Sequence, residues 1–148
     1  MRVLTISIII ISLWLTGCTS TDIKPIKQVL VNEQKVQVRL ASSQSELAKG
    51  LSGVSELADN QGMLFIFPTK DYYRFWMKDM LIPLDIIWLD NNTIVDLSDN
   101  VPPPANLAEQ EDLPKYSTAE KADYVLEVNA DFIENNQVMV GDTVEYIR

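Results

Sequence analysis

The stretch Pro83-Leu84-Asp85-Ile86-Ile87-Trp88-Leu89-Asp90-Asn91-Asn92, followed by Thr93 to Ser98, decides the architecture. Leu84 to Leu89 is apolar apart from Asp85, which predicts a strand covered on both faces. Asp90-Asn91-Asn92 is turn chemistry, and Thr93 to Ser98 then returns antiparallel. Working backward, Asp71 to Lys78 (DYYRFWMK) is aromatic-rich and strand-like. Parity there places Arg74, Trp76 and Lys78 on one side, with Tyr73, Phe75 and Met77 on the other. Gly62 to Phe67 is an apolar run closed by Pro68 and predicts a central strand. Ser43-x-x-Glu46 has the form of a capping box opening a short helix, with Leu47, Ala48 and Leu51 on one side and Gly50 and Gly53 ending it. Val29 to Ala41 predicts two strands about Asn32-Glu33-Gln34.

Working forward, Asp99 to Thr118 holds Pro102, Pro103, Pro104 and Pro114 and predicts a long, partly extended loop. Ala122 to Val128 predicts a strand, Asn129 to Asn135 a helical turn and Thr143 to Ile147 a last strand. The expectation is an all-β fold: a compact antiparallel β-sandwich or barrel-like domain with one or two short helices.

Composition removes many chemistries. The 148 residues contain 12 Lys+Arg against 21 Asp+Glu, no His and one Cys, for a net charge of -9. Without His there is no Ser-His-Asp or Cys-His machinery and no imidazole ligand for a metal. One Cys allows neither an intrachain disulfide nor a thiolate zinc site. The acidic balance argues against a nucleic-acid partner. The acids around Asp90 do not form an EF-hand, since counting from Asp90 puts Val95 and Val101 where Gly and Glu are needed. No cofactor or metal is expected.

The N-terminus reads as an address. Arg2 precedes an apolar run from Val3 to Leu15, too short for the ~20 residues of a membrane-spanning helix but suited to a signal peptide. It ends in Leu15-Thr16-Gly17-Cys18, which resembles the bacterial lipobox. The expected organisation is a lipoprotein signal peptide over 1–17, lipidation at Cys18, a polar tether over 18–27 and a single β domain over 28–148. Acyl chains on Cys18 would anchor the chain to a membrane. Thr19 after the Cys resembles the outer-membrane sorting choice of diderm bacteria, which implies the periplasmic face of that membrane.

Several blocks carry a further likeness. Lys49-Gly50-Leu51, Gly62 to Phe67, Phe75-Trp76-Met77-Lys78, Ile82 to Ile87, Pro102-Pro103, Tyr124-Val125-Leu126-Glu127 and Val140-Gly141-Asp142 resemble, in order, the domain of unknown function 192 family. The resemblance implies a compact β-sandwich or barrel-like domain often exported in bacteria, and it brings no established activity. Many members carry a Cys after the Pro-Pro and another before a Pro-x-Tyr. Here those positions resemble Pro104 and Leu113, so chemistry that needs the Cys pair is closed to this chain.

The candidate site residues are Arg74, Trp76, Lys78 and Asp85. A carboxylate buried alone costs several kcal/mol, so Asp85 must be ion-paired, hydrogen-bonded or at a cleft. Three readings stay open: a structural ion pair or a carboxylate capping backbone N–H groups; a ligand site in which Lys78 or Arg74 fixes an anion and Trp76 offers a stacking face; and a catalytic carboxylate–lysine pair. Alternation puts Tyr73 and Phe75 in the core and leaves Tyr72 and Trp76 as the exposed aromatics. Two function classes follow. One is a lipid-anchored, non-catalytic domain of the cell envelope that binds a small molecule, a glycan or a partner protein. The alternative is an envelope hydrolase or transferase using the Asp/Lys pair.

Overall fold

A computed structural model describes residues 26–105 and 112–148. The expected signal peptide, the lipidated Cys18 and most of the tether lie outside these residues. In chain order the elements are β1 (Gln28–Val31), β2 (Gln34–Ala41), α1 (Gln44–Lys49), β3 (Gln61–Asp71), β4 (Arg74–Phe75), β5 (Leu84–Asp90), β6 (Thr93–Val101), β7 (Tyr116–Ser117), β8 (Ala122–Asn129), α2 (Phe132–Asn135) and β9 (Val144–Ile147). Seven strands form one sheet in the order β6-β5-β8-β3-β2-β1-β9, and β4 pairs with β7 in a separate two-stranded ladder. The sheet curls into a half-barrel, as an all-β, barrel-like fold requires.

Local chemistry accounts for the turns. Asn32 and Glu33, both at positive φ (44° and 68°), link β1 to β2 in a tight hairpin. The box at the start of α1 is complete: Ser43 Oγ accepts from the Glu46 N–H, and the Glu46 carboxylate accepts from the Ser43 N–H.

The expectation of a purely antiparallel sheet is corrected at one place, because β2 and β3 run parallel, pairing Gln37 with Gln61 through Ala41 with Phe65. The connection through α1 is a crossover, and a crossover delivers the next strand in the same direction. Two other strands differ in extent. β3 continues past Pro68 to Asp71, with a register irregularity between Ile66 and Asp71 that accommodates the missing N–H. Of the stretch from Asp71 to Lys78, Asp71 ends β3 and only Arg74 and Phe75 form a further strand.

The curl brings the outermost strands together at one end. Ile94 N donates to Asp142 O, Gly141 N to Ile94 O and Val144 N to Asn92 O, and Thr93 bridges Thr143. The Tyr146 hydroxyl donates to the Asn91 carbonyl across the same seam. Asn32 adds a third segment, donating from its side chain to Asp142 Oδ2 at 3.0 Å.

Two apolar clusters lie on opposite faces of the sheet. Val29, Val36, Leu64, Ile87, Leu89, Ile94, Leu126 and Val144 face inward, and all seven strands contribute to this cluster. Leu51, Phe65, Met77, Leu84, Ile86, Trp88 and Val125 form the other, on the outer face, with Leu47 and Phe75 packed against it. Thus α1, β4 and the segments joining them cover the middle of the sheet. β5 is therefore buried on both sides from Leu84 to Leu89.

Candidate functional site

On the outer face the covering segments leave a cavity of about 400 Å³. Its apolar wall comes from Leu47 and Leu51 about α1, Phe65 and Phe67 of β3, Phe75 of β4, and Met80. Aromatic packing holds this wall. The Phe67 and Tyr73 rings stack at 3.6 Å between centroids, and Phe75 meets Phe65 edge-on at 4.9 Å and Trp88 at 5.3 Å.

Four cationic side chains line the same cavity: Lys49, Arg74, Lys78 and Lys115. Among the described residues none of them makes a salt bridge, the ion pairs being Lys70–Asp90 and Lys121–Asp71. Trp76 is 49% exposed. Lys78 and Lys115 hold their ammonium groups over its ring, 5.4 and 5.5 Å from the centroid. A ring flanked by two cations is a face on which a planar or apolar group can lie while an attached acid is held electrostatically.

The cavity brings together three of the four residues expected from sequence: Arg74, Trp76 and Lys78. It excludes the fourth. Odd-numbered residues of β5 face the inner cluster and even-numbered ones the outer, so Asp85, beside Ile87, points away from the cavity. It is wholly buried, and its oxygens are taken by amides: Oδ1 accepts from Asn100 N–H at 2.7 Å and Oδ2 from Ile133 N–H at 2.8 Å. Burial, partly offset by these two bonds, raises its pKa above the ordinary aspartate value. Asp85 is therefore corrected from a site residue to a capping one, and the Asp85–Lys78 or Asp85–Arg74 pair does not form. The carboxylate fastens β6 and α2 to β5.

The acid that does line the cavity is Glu127 of β8. It lies in a row across three strands, between Met63 of β3 and Ile86 of β5. Its Oε2 is buried without a hydrogen-bond partner, and burial pushes its pKa up to about 8. Gly62 lets β3 approach this residue: a Cβ there would stand 2.6 Å from the Glu127 carbonyl oxygen. Sequence reasoning passed over Glu127, although Val125-Leu126-Glu127-Val128 carries the same signal as Asp85, a charge inside an apolar strand.

The family model for DUF192, described as Uncharacterized ACR, matches residues 27–146. The chain belongs to the DUF192 family. A solved protein of unknown function from Novosphingobium aromaticivorans DSM 12444 is 30% identical to this DUF192 domain, with a TM-score of 0.73 over 82% of this chain and 85% of that one. A protein from Sinorhizobium meliloti 1021, described as a candidate transcription regulator, is 27% identical, with a TM-score of 0.71 over 80% of this chain and 90% of that one. No curated protein matches. The blocks that carry the DUF192 resemblance converge in space. Gly50-Leu51, Phe65 and Phe67, Phe75-Trp76 with Lys78, and Glu127 contribute to the cavity, and Asp85 braces the sheet behind it.

Proposed function

We propose that this DUF192 domain is a non-catalytic binding domain, held at the bacterial cell envelope by a lipid on Cys18, whose cavity receives a small organic anion with an apolar body. The observation that carries the reading is the meeting of four cationic side chains, none in a salt bridge among the described residues, and an aromatic wall around about 400 Å³. That volume lies within the ~300–1,000 Å³ of small-molecule sites. In a chain of net charge -9, cations gathered at one opening mark that opening for an acid.

Isothermal titration of the protein with phenylpentanoate, its ring on the terminal carbon, tests this. We expect one molecule to bind per chain, weakened about tenfold or more when Arg74→Ala and Lys78→Ala are combined, the loss of one to two charge-assisted contacts. Binding that ignores both substitutions refutes the reading and turns attention to a glycan or a docked protein. The anchor has separate support in the lipobox-like Leu15-Thr16-Gly17-Cys18. Cys18→Ala should abolish palmitate incorporation and membrane retention, and a labelled variant would rule the anchor out.

The alternative, an envelope hydrolase or transferase, has to use a different acid, since Glu127 rather than Asp85 shares the cavity with Lys78. Turnover of a nitrophenyl ester that disappears in a folded Glu127→Gln protein would favour it.

A further inference from the structure

Glu127 has a carboxyl oxygen that the domain leaves unsatisfied. Buried polar atoms nearly always find partners, and an orphan in a native core calls for a reason. Packing holds this one in place. Its neighbours in the row are Met63 and Ile86, which offer no side-chain hydrogen bond, and the Gly62 backbone closes against its carbonyl. The residue lines the cavity, so the missing partner can come from there.

An ammonium, a neutral N–H or O–H donor, or an oxygen acceptor could satisfy it, and a carboxyl that keeps its proton needs the last for its own O–H. A ligand ammonium would enter a space already lined by Lys49, Arg74, Lys78 and Lys115, and like charges oppose that. A neutral oxygen acceptor meets no such opposition. Burial keeps the carboxyl protonated up to about pH 8, so near neutrality it has an O–H to donate. We propose that Glu127 donates a hydrogen bond to a carbonyl-type oxygen within the ligand, so that the preferred anion carries such an acceptor in its apolar body, apart from its acid group. This rests on the anion-binding reading above and narrows it to oxo or acyl acids. Glu127 is then the residue that selects among the anions the cationic opening admits.

The charged or titratable groups around the cavity are Lys49 at the end of α1, Tyr73, Arg74 and Lys78 about β4, and Lys115 before β7. The neighbours in β3 and β5, Met63 and Ile86, do not titrate. Ionisation of Glu127 itself should therefore erase the preference as pH rises through about 8.

The test compares phenylpentanoate with its keto analogue, in which one mid-chain methylene is a carbonyl, by isothermal titration of the full chain in lipid nanodiscs against empty discs. At mildly acid pH the keto acid should bind about fivefold to tenfold tighter, the worth of one buried hydrogen bond. Glu127→Gln, whose amide still donates, should keep the preference and lose its pH dependence. Glu127→Met should bind both acids equally. Equal affinities in the unsubstituted protein, or a preference that survives Glu127→Met, overturn the role of Glu127 while leaving the anion site standing. If neither acid binds, the anion site falls and this inference falls with it.

Discussion

Asp85 and Glu127 are two carboxyl groups in neighbouring strands with opposite fates. Asp85 meets two amide N–H groups, one of them in the first turn of α2. That helix has no cap of its own, because Asp131 at its start sits at φ 68° and makes no side-chain cap bond. Asp85 supplies the cap from across the sheet. Asp85→Asn presents an amide NH2 where an oxygen is needed, so one N–H loses its acceptor. We expect a cost of about 2–3 kcal/mol in urea unfolding, with phenylpentanoate affinity unchanged. Lost affinity at full stability would return Asp85 to the site. That Asp85 must find polar companions was legible from its greasy neighbours alone. Which face it would point to was not, because a strand apolar on both sides has no alternation to orient it.

At the scale of elements, parity succeeded where strand length failed. β4 is only Arg74–Phe75, yet Met77 is buried and Tyr72 and Trp76 are exposed, as alternation over Asp71 to Lys78 requires. Chain direction fixes which side meets the outer cluster even where no ladder forms. The parallel β2–β3 pair was not legible, since strand direction depends on where the connection through α1 lands. The packing of β3 against β8 explains Gly62, whose φ is ordinary and whose necessity is steric. Gly62→Ala would press a methyl against the Glu127 carbonyl, with the Val36 and Val128 Cγ1 atoms standing at 3.2 and 3.1 Å. The backbone there cannot yield cheaply, so thermal unfolding should reveal a loss of about 1–3 kcal/mol. An unaltered melting temperature would mean that the strands do not approach so closely. Lys115, which reaches the cavity from a distant part of the chain, had no local signal, and Lys49 stood out only within the block Lys49-Gly50-Leu51.

For the whole molecule, the carboxyl groups set a pH dependence with a definite sign. Glu127 is raised from 4.5 to about 8, so the folded state holds its proton longer than the unfolded chain does. Its burial is tolerated below about pH 4.5 and grows costly as pH rises through 8. Asp85, also raised, acts in the same direction from the acid side. Glu46 and Asp142 act in reverse: backbone N–H groups of Ser43 and Ser42, and of Met139 with the Asn32 amide, lower their pKa values. Their support is present above the ordinary carboxylate range and disappears as pH falls through the lowered values. Stability should therefore peak on the acid side of neutral and decline up to about pH 8, where Glu127 becomes ionised in the folded state as well, and Glu127→Gln should flatten that decline. Denaturant midpoints measured across this range check it, and an equally steep decline in Glu127→Gln would show that the proton is held elsewhere.

The pairing of β1 with β9 has a temporal consequence. Gln28 lies opposite Ile147, so the earliest strand finds its outer neighbour in one of the last to be synthesised. The sheet is not complete until β9 has formed and met β1, and such long-range closure is slow. Until β9 docks, β1 keeps an open edge of backbone N–H and C=O groups, a template on which a foreign strand could add.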